Sequence, residues 1–433
     1  MLETLRNAWK IADLRKKMLY TLMIVLVFRI GAAIPVPFMM PEVLAASAVM
    51  GDGSLLSYFN MLTGGAFASA TLFAMGISPY ITASIIMQLL QVAIPSLERL
   101  AKEGDAGRKK IAKITRYATL ALSFVMATAY YIMNRNLGAV RYVWGFAGWF
   151  SMFVIILSFT AGAMMIVWLG EAIDKRGVGN GISMILFAGI ISGGPGAILL
   201  LWEFLQLAAH PGYERFYVFV PLVVIIFFVL ITAIVLMNNS ERRIPIQYSK
   251  RVVGRKMYGG QSSYIPVKVM MSGVMPIIFA GALLSIPGMI RGFANPDPEG
   301  IMHAILSVFD YTHPVYAILY LFLIIAFNYF YVSIQYNPVQ MANDLRKNNG
   351  AIPGIRPGRP TAEFIAKVIG KITLVGALFI AMIAILPIII GAAMHLPIAL
   401  GGTSIIIVVS VALDTVRSLE SQMMMRHYKG FLE

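Results

Sequence analysis

Glycine-rich and histidine-containing segments are the first places to look for catalytic or cofactor-binding chemistry in this sequence. The glycine-spaced stretch Gly177–Gly181 follows a basic turn, whereas dinucleotide binding requires such glycines between a strand and a helix. Residues 104–110, GDAGRKK, lack the spacing of a phosphate-binding loop. The five histidines have no acidic or histidine partner at metal-ligand spacing, and the chain has no cysteine. These patterns predict no enzyme, no cofactor and no metal site.

Ionisable side chains within apolar segments would instead indicate proton- or ion-coupled transport. Arg29, Glu171 and Asp414 are near the ends of such segments, where a long or paired side chain stays hydrated. The sequence shows neither a ring of charges nor a pattern resembling a carbonyl filter. A hydrophobic constriction is therefore the simplest gate that these residues could build.

The elements that must position these residues are long apolar segments. With 59% apolar residues, 13% charged residues and a mean hydropathy of +0.78, the 433-residue chain cannot hide its apolar surface in a soluble core. Charge-free runs are long enough to cross about 30 Å of hydrocarbon as helices, and runs apolar at every position exclude barrel strands. We predict an all-α membrane protein with ten transmembrane helices. They lie near 18–35, 76–94, 114–134, 148–170, 182–199, 216–237, 269–290, 314–335, 372–390 and 401–418.

The basic residues orient these helices. All but five of the 35 Lys and Arg residues lie in or beside the N-terminal arm 1–17, the even-numbered loops and the tail 419–433. The five exceptions are Arg29, Arg135, Arg141, Arg215 and Arg291. By the positive-inside rule both termini are cytoplasmic, and this bias alone accounts for a net charge of +15.

Two cytoplasmic loops, 238–268 and 336–371, are longer than a connection between neighbouring helices requires. Long ordered loops usually carry function, so we expect a binding surface there. The spans also divide into halves of five, residues 18–205 and 206–418. Because five is odd, the halves enter the membrane from opposite sides, and two inverted halves can enclose a path between them.

One uncharged segment between the first two spans, Ser54–Phe73, is too rich in Gly, Ser, Thr and Ala for a transmembrane helix. One interpretation is a half-inserted helix broken at Gly64-Gly65, which is tolerated only where protein or a water-filled cavity surrounds it. The alternative is an amphipathic helix on the membrane surface. The residues alone do not choose between them.

Several long segments resemble the SecY family of protein-conducting channels in order and spacing. They include polar loops, which chance similarity among apolar helices would not reproduce. The segments are FRIGAAIPVP at 28–37, FNMLTGGAFASATLFAMGISPYITASIIMQLL at 59–90, EGDAGRKKIAKITRY at 103–117, WLGEAIDKRGVGNGIS at 168–183, NPVQMANDLRKNNGAIPGIRPGRPTAEFI at 337–365 and GGTSIIIVVSVALDT at 401–415. The resemblance implies an hourglass hinged between the fifth and sixth spans, with a lateral opening between the second and seventh.

The same resemblance implies that the 54–73 segment is a plug over an aliphatic ring. The plug positions are Phe59, Asn60, Gly64 and Gly65, and the ring positions are Ile77, Ile81, Ile182, Leu186, Ile278 and Ile407. A narrow dry ring raises the cost of ion passage while binding no passing side chain strongly. Without the resemblance, these residues would be interpreted as ordinary helix packing.

For the lateral opening, we expect polar residues of the second span to face the seventh. The predicted residues are Ser78, Thr82, Gln88, Ser272 and Pro276. Polar groups and a proline would weaken the seam between the helices modestly, which suits an interface that must open. The alternative is routine interhelical hydrogen bonding.

The long basic loops match positions at which members of the family meet the SecA motor or the ribosome. The matching residues are Lys250, Arg251, Arg255 and Arg356. Family membership also implies small SecE-like and SecG-like membrane subunits, and signal-sequence-bearing preproteins as clients. The resemblance thus implies a bacterial plasma-membrane channel that moves unfolded chains outward and releases apolar helices into the bilayer. A small-solute transporter and a scaffold or insertase are the rival classes.

Overall fold

The computed structural model describes residues 2–45, 60, 62–210, 214–248, 251–253, 256–258, 262–294, 300–309, 313–394 and 402–429. Helices dominate this part of the chain, in agreement with the predicted class. In the N-terminal half they are α1 Leu2–Lys10, α2 Ala12–Gly31, α3 Pro41–Ala45, α4 Ser78–Ala93, α5 Pro95–Lys102, α6 Asp105–Asn136, α7 Gly145–Arg176, α8 Gly181–Ser192 and α9 Gly194–Leu207. In the C-terminal half they are α10 Phe216–Asn239, α11 Met275–Ala294, α12 Ile301–Ser307, α13 Pro314–Gln335, α14 Pro338–Lys347, α15 Arg359–Met394 and α16 Gly402–Lys429.

Each of the ten predicted spans coincides with helix, although the boundaries differ. The fifth span is divided between α8 and α9 at Gly193, where Gly194 and Pro195 begin the second piece. The seventh begins at Met275 instead of 269, because residues 269–274 form turns and Gly273 has φ +60. By length and composition alone, five helices of the described part could cross a membrane, and the pair α4 and α5, bent by 101°, is a sixth candidate.

Large apolar side chains cover much of the surface, as a lipid-facing protein requires. Only 11% of the most apolar stretch of α10 is buried inside the protein. Phe228 and Leu236 of that helix are more than half exposed. The chain therefore has the exterior of a multi-pass membrane protein.

A small β-sheet, which the all-α prediction lacked, connects the two long loops. Strand β1 (Glu241–Tyr248) pairs antiparallel with β4 (Ser262–Lys268), and its far end pairs with the short β5 (Gly350–Ala351). Between β1 and β4, β2 (Arg251–Val253) pairs with β3 (Lys256–Tyr258). The loops are thus built on one another.

Buried apolar residues form a large central cluster drawn from both halves and smaller ones around it. The central cluster takes residues from α2, α4, α7, α8, α10, α11, α13, α15 and α16. A second cluster joins α6 and α7 to the 62–77 segment. A third lies under the sheet and includes Ile246, Leu345 and Ile352.

Candidate pore, lateral seam and cytoplasmic platform

The 62–77 segment, which precedes α4, folds mainly as consecutive turns and not as the broken helix of the half-inserted interpretation. Gly64 and Gly65 have φ +66 and +89, so the predicted break between them is present, but Ala70 and Gly76 also adopt positive φ and interrupt any helix that follows. Asn60 Oδ1 accepts a hydrogen bond from the Ala68 backbone N–H at 2.8 Å. Residues 54–59 and 61, with the predicted plug residue Phe59, lie outside the described residues.

Burial of this segment excludes the surface-helix alternative for the described residues. Ala66, Ala70 and Phe73 are at most 1% exposed. A Cβ at Gly162 of α7 would overlap the Leu72 carbonyl oxygen, so only glycine there lets helix and segment meet. The Tyr130 hydroxyl of α6 donates to the Phe67 carbonyl at 2.6 Å. The segment is therefore enclosed by the helices of the N-terminal half.

The six predicted ring residues come together in or against the central cluster. Ile77 ends the segment, and Ile81 follows one turn into α4; they are 4% and 7% exposed. Leu186, Ile278 and Ile407 are equally buried. Ile182 is partly buried, and its Cγ1 lies 3.4 Å from where a Cβ on Gly170 would be, so it packs against α7. Five of the six predicted ring positions are therefore buried aliphatic residues of one cluster.

A cavity of about 220 Å³ lies beside this cluster, between α4, α6 and α11. Ser78, Ile81 and Thr82 of α4 line it together with Ile278 of α11, and Leu62 of the segment forms another part of its wall. Two predicted seam residues and two predicted ring residues thus share one apolar space. This is where the second and seventh spans meet.

The remaining predicted seam residues lie elsewhere. Gln88 Nε2 donates to Ser84 Oγ on its own helix at 3.2 Å, and the Ser272 hydroxyl donates to Asn328 Oδ1 on α13. Pro276 occupies the first turn of α11, where its missing backbone N–H removes no intrahelical hydrogen bond. The proline inside that helix is Pro287, which the sequence reasoning did not select.

Of the predicted loop residues, the structure describes Arg356 most fully. Its backbone lies in the turn 352–358, which precedes α15, and the Thr361 hydroxyl donates to its carbonyl at 2.9 Å. Ile352 anchors the turn in the third cluster, while the Arg356 side chain is exposed. Arg251 lies in β2, and Lys250 and Arg255 lie outside the described residues. We call the sheet β4-β1-β5, α14 and the turn 352–358 the platform.

Charged residues make hydrogen bonds within the platform and at one helix end. A hydrogen bond of 2.7 Å from Arg243 Nε to Glu241 raises the pKa of that arginine above its ordinary value. Arg417 of α16 donates at 2.8 Å to both the side chain and the carbonyl of Asn238, where α10 ends. Sequence reasoning missed this cap, because the two residues are far apart in the chain.

Comparison with known proteins agrees with this architecture. A family model described as SecY matches residues 71–416. Proteins named "Protein translocase subunit SecY" from Halalkalibacterium halodurans and Bacillus subtilis are each 42% identical to this chain, over 441 and 436 residues, and that of Streptomyces coelicolor is 41% identical over 445. Each alignment covers 100% of both sequences.

Solved channels share the fold. A structure described as that of a protein conducting channel has a TM-score of 0.64 and 21% identity, covering 94% of this chain and 92% of the other. Sec61 from a canine ribosome-channel complex gives 0.61 and 20% with the same coverage. The resemblance inferred from the motifs and the helical channel fold are both confirmed. The chain therefore belongs to the SecY family.

Proposed function

We propose that this chain is the pore subunit of a bacterial plasma-membrane translocon, with both termini in the cytoplasm. It conducts unfolded secretory polypeptides outward and releases apolar segments into lipid. The observation that carries the proposal is the packing of the 62–77 segment against an aliphatic cluster drawn from both halves. A movable cover over an apolar constriction can seal a pore at rest.

The constriction would act because its side chains have no hydrogen-bonding groups. Aliphatic side chains at Ile81, Leu186, Ile278 and Ile407 offer no hydrogen-bond partner to a passing chain, so residues of every type can move through. In the same ring, water loses its hydrogen-bond partners and ions lose their hydration shells. The ring therefore resists leakage both when it is empty and when a chain fills it. Ile77 completes the ring, while Ile182 acts from its edge.

The cavity between α4 and α11 is suited to the apolar core of a signal sequence. Its walls are mainly aliphatic, with the Ser78 and Thr82 hydroxyls at one side, and the Thr82 hydroxyl already donates to the Ser78 carbonyl at 3.1 Å. An apolar helix entering there would place its apolar surface against aliphatic walls and away from water. It could then pass between the two helices into lipid.

The driving energy comes from partners, because the sequence carries no recognisable nucleotide-binding loop. Arg356, exposed on an anchored turn, is the proposed contact for the SecA motor or for ribosomal RNA. Lys250, Arg251 and Arg255 would extend that contact. SecE-like and SecG-like subunits complete the assembly. Ribosome-bound channels share this fold, which supports the ribosome as a partner.

The test is a crosslink between the ring and a stalled secretory chain. A cysteine replaces Ile278 in the complex with its small subunits, in liposomes with SecA and ATP, and the cysteine-free background gives a clean signal. The matched control is a cysteine at Leu283 of the same helix, which is 43% exposed. A signal-dependent crosslink at 278 and not at 283 supports the channel. Transport without any crosslink at 278 would show that the chain does not pass through the predicted ring. A scaffold would give neither transport nor the crosslink.

A further inference from the structure

We propose that Arg29 and Ser192 form a clasp that holds the N-terminal end of the 62–77 segment over the pore, so that breaking the clasp lets ions leak through the resting channel. The proposal rests on the channel function above and names the residues that position its plug. Arg29 Nη1, on α2, donates to Ser192 Oγ at the end of α8 at 2.8 Å, and it lies 3.5 Å from the Gly64 carbonyl oxygen. One guanidinium thus meets two helices and the segment.

Close backbone packing at this point gives the clasp its precision. Gly64 has φ +66, and a Cβ built there would lie 2.7 Å from Arg29 Nη1 and would overlap the Ser192 hydroxyl. A Cβ at Gly189 would overlap the Leu62 carbonyl oxygen. The Ser192 hydroxyl donates to the Gly189 carbonyl at 2.6 Å, which leaves its oxygen free to accept from Arg29. No side chain therefore separates the segment from the groups that hold it.

The two ends of the segment are held by different forces. Near its C-terminal end, Phe73 stacks on Phe28 with ring centroids 5.7 Å apart, and in its middle Phe67 packs on Tyr130 at 4.7 Å. Large buried rings resist displacement because moving them exposes apolar surface or leaves a void. The contact at the Gly64 carbonyl is polar, with Arg29 Nη1 3.5 Å away, and water or a passing chain can replace it. The clasp is thus at the end that must release when the channel opens.

The arginine also biases the resting position. Arg29 is half-buried, and a guanidinium that is partly shielded from water is costly with too few acceptors, so it favours the arrangement in which Ser192 and the Gly64 carbonyl both face it. Moving the segment away removes one of these acceptors. The closed arrangement is thereby favoured by a local contact that uses no ring residue, and a change in that contact shifts the closed-to-open ratio.

The experiment measures ion leak through the resting complex, with its small subunits, in planar bilayers. We expect Arg29→Gln to raise the leak about tenfold, the effect of one lost charge-assisted hydrogen bond. Ser192→Ala should raise it less, and the double variant should leak no more than Arg29→Gln, because both changes break one contact. If Arg29→Gln fails to accumulate, Ser192→Ala, which removes no charge, carries the test.

A conservative variant separates positioning from a general loss of structure. Arg29→Lys keeps a cationic donor at this place, so it should leak less than Arg29→Gln, although an ammonium lacks the fixed fork of a guanidinium. A leak in Arg29→Lys equal to that of Arg29→Gln would show that a positively charged donor does not hold the segment.

A variant lacking residues 60–67 distinguishes failure of the clasp from failure of the plug. If that deletion raises the leak while Arg29→Gln and Ser192→Ala match the parent chain, the clasp is refuted and the plug role stands. If the deletion leaves the leak unchanged, the plug role in the proposed function fails, and the clasp fails with it. Additive leaks in the double variant would also overturn the clasp, since they indicate two independent defects.

Discussion

The 62–77 segment and the platform are positioned by opposite arrangements of backbone and side chain. At the segment, glycines such as Gly162 remove side chains, so that backbone lies directly on helix. At the platform, aliphatic residues such as Ile352 form a small core that carries an exposed Arg356 above it. The first arrangement suits a part that seals by shape, and the second suits a part that presents charge to a partner. Changes in the two regions should therefore produce different defects.

The largest effect should come from reversing charge on the platform. Arg356→Glu replaces an exposed cation that has no role in the core with an anion that repels an acidic or phosphate-bearing partner. We expect motor-driven transport to be abolished while the complex assembles normally and the resting ion leak stays unchanged. Transport of a radiolabelled preprotein into inverted vesicles measures this.

The matched control for Arg356 is Arg359→Gln, three residues further along. Arg359 is also exposed and is paired with Glu363 at 2.9 Å, so its loss removes a surface ion pair of little energetic weight. Transport should stay near the parent level. Equal loss in both variants would show that the platform needs only general positive charge, and the specific assignment of Arg356 would be wrong.

The next largest effect should come from adding one methyl group beneath the segment. Gly162→Ala places a Cβ on the Leu72 carbonyl oxygen, so helix and segment must separate. Overpacking of this kind costs about 1–3 kcal/mol. We expect a raised resting leak and a lower melting temperature in detergent, with motor binding unaffected.

Gly196→Ala is the control for this substitution, since a Cβ there meets open space on another membrane helix. Alanine is the better helix former by about 1 kcal/mol, so this variant should be neutral or slightly more stable. If Gly162→Ala and Gly196→Ala leak alike, close packing of the segment does not seal the channel.

Each of the ten apolar runs coincides with helix in the described part of the chain, but the sequence placed the helix ends poorly. α6 begins at Asp105, although its apolar part starts near 114, because a helix continues into water when charged residues such as Lys109 and Lys113 can coat it. α15 begins at Arg359 for the same reason. The length of an apolar run reports only the part of a helix that lies in the membrane. The helix itself continues until the backbone turns.

The platform sheet carried a local signal that was missed. Ile244 and Ile246 alternate with exposed residues along β1, which is the two-residue period of a half-buried strand. Long-range polar contacts had no such signal. Arg29 and Ser192 are 163 positions apart, and Ser272 and Asn328 are 56 apart, so only the folded chain brings them together. The hydrogen bond from Ser272 to Asn328 on α13 is one such contact that the sequence did not indicate.

The smallest effect should come from weakening the core that carries Arg356 without touching the charge. Ile352→Ala removes a side chain that is 4% exposed beneath the turn, at a local cost of about 2–5 kcal/mol. Pairing of Gly350 with Tyr248 and the Thr361 bond to the Arg356 carbonyl still hold the turn, so the guanidinium is displaced and not lost. We expect motor-driven transport to fall about twofold to fivefold, because a displaced guanidinium loses only part of its binding energy with the partner.

The control is Val339→Ala, an exposed position on α14, which should have no effect. A loss as complete as that of Arg356→Glu would mean that the partner binds the shape of the platform and not mainly its charge, whereas a raised ion leak would mean that platform and segment are mechanically coupled.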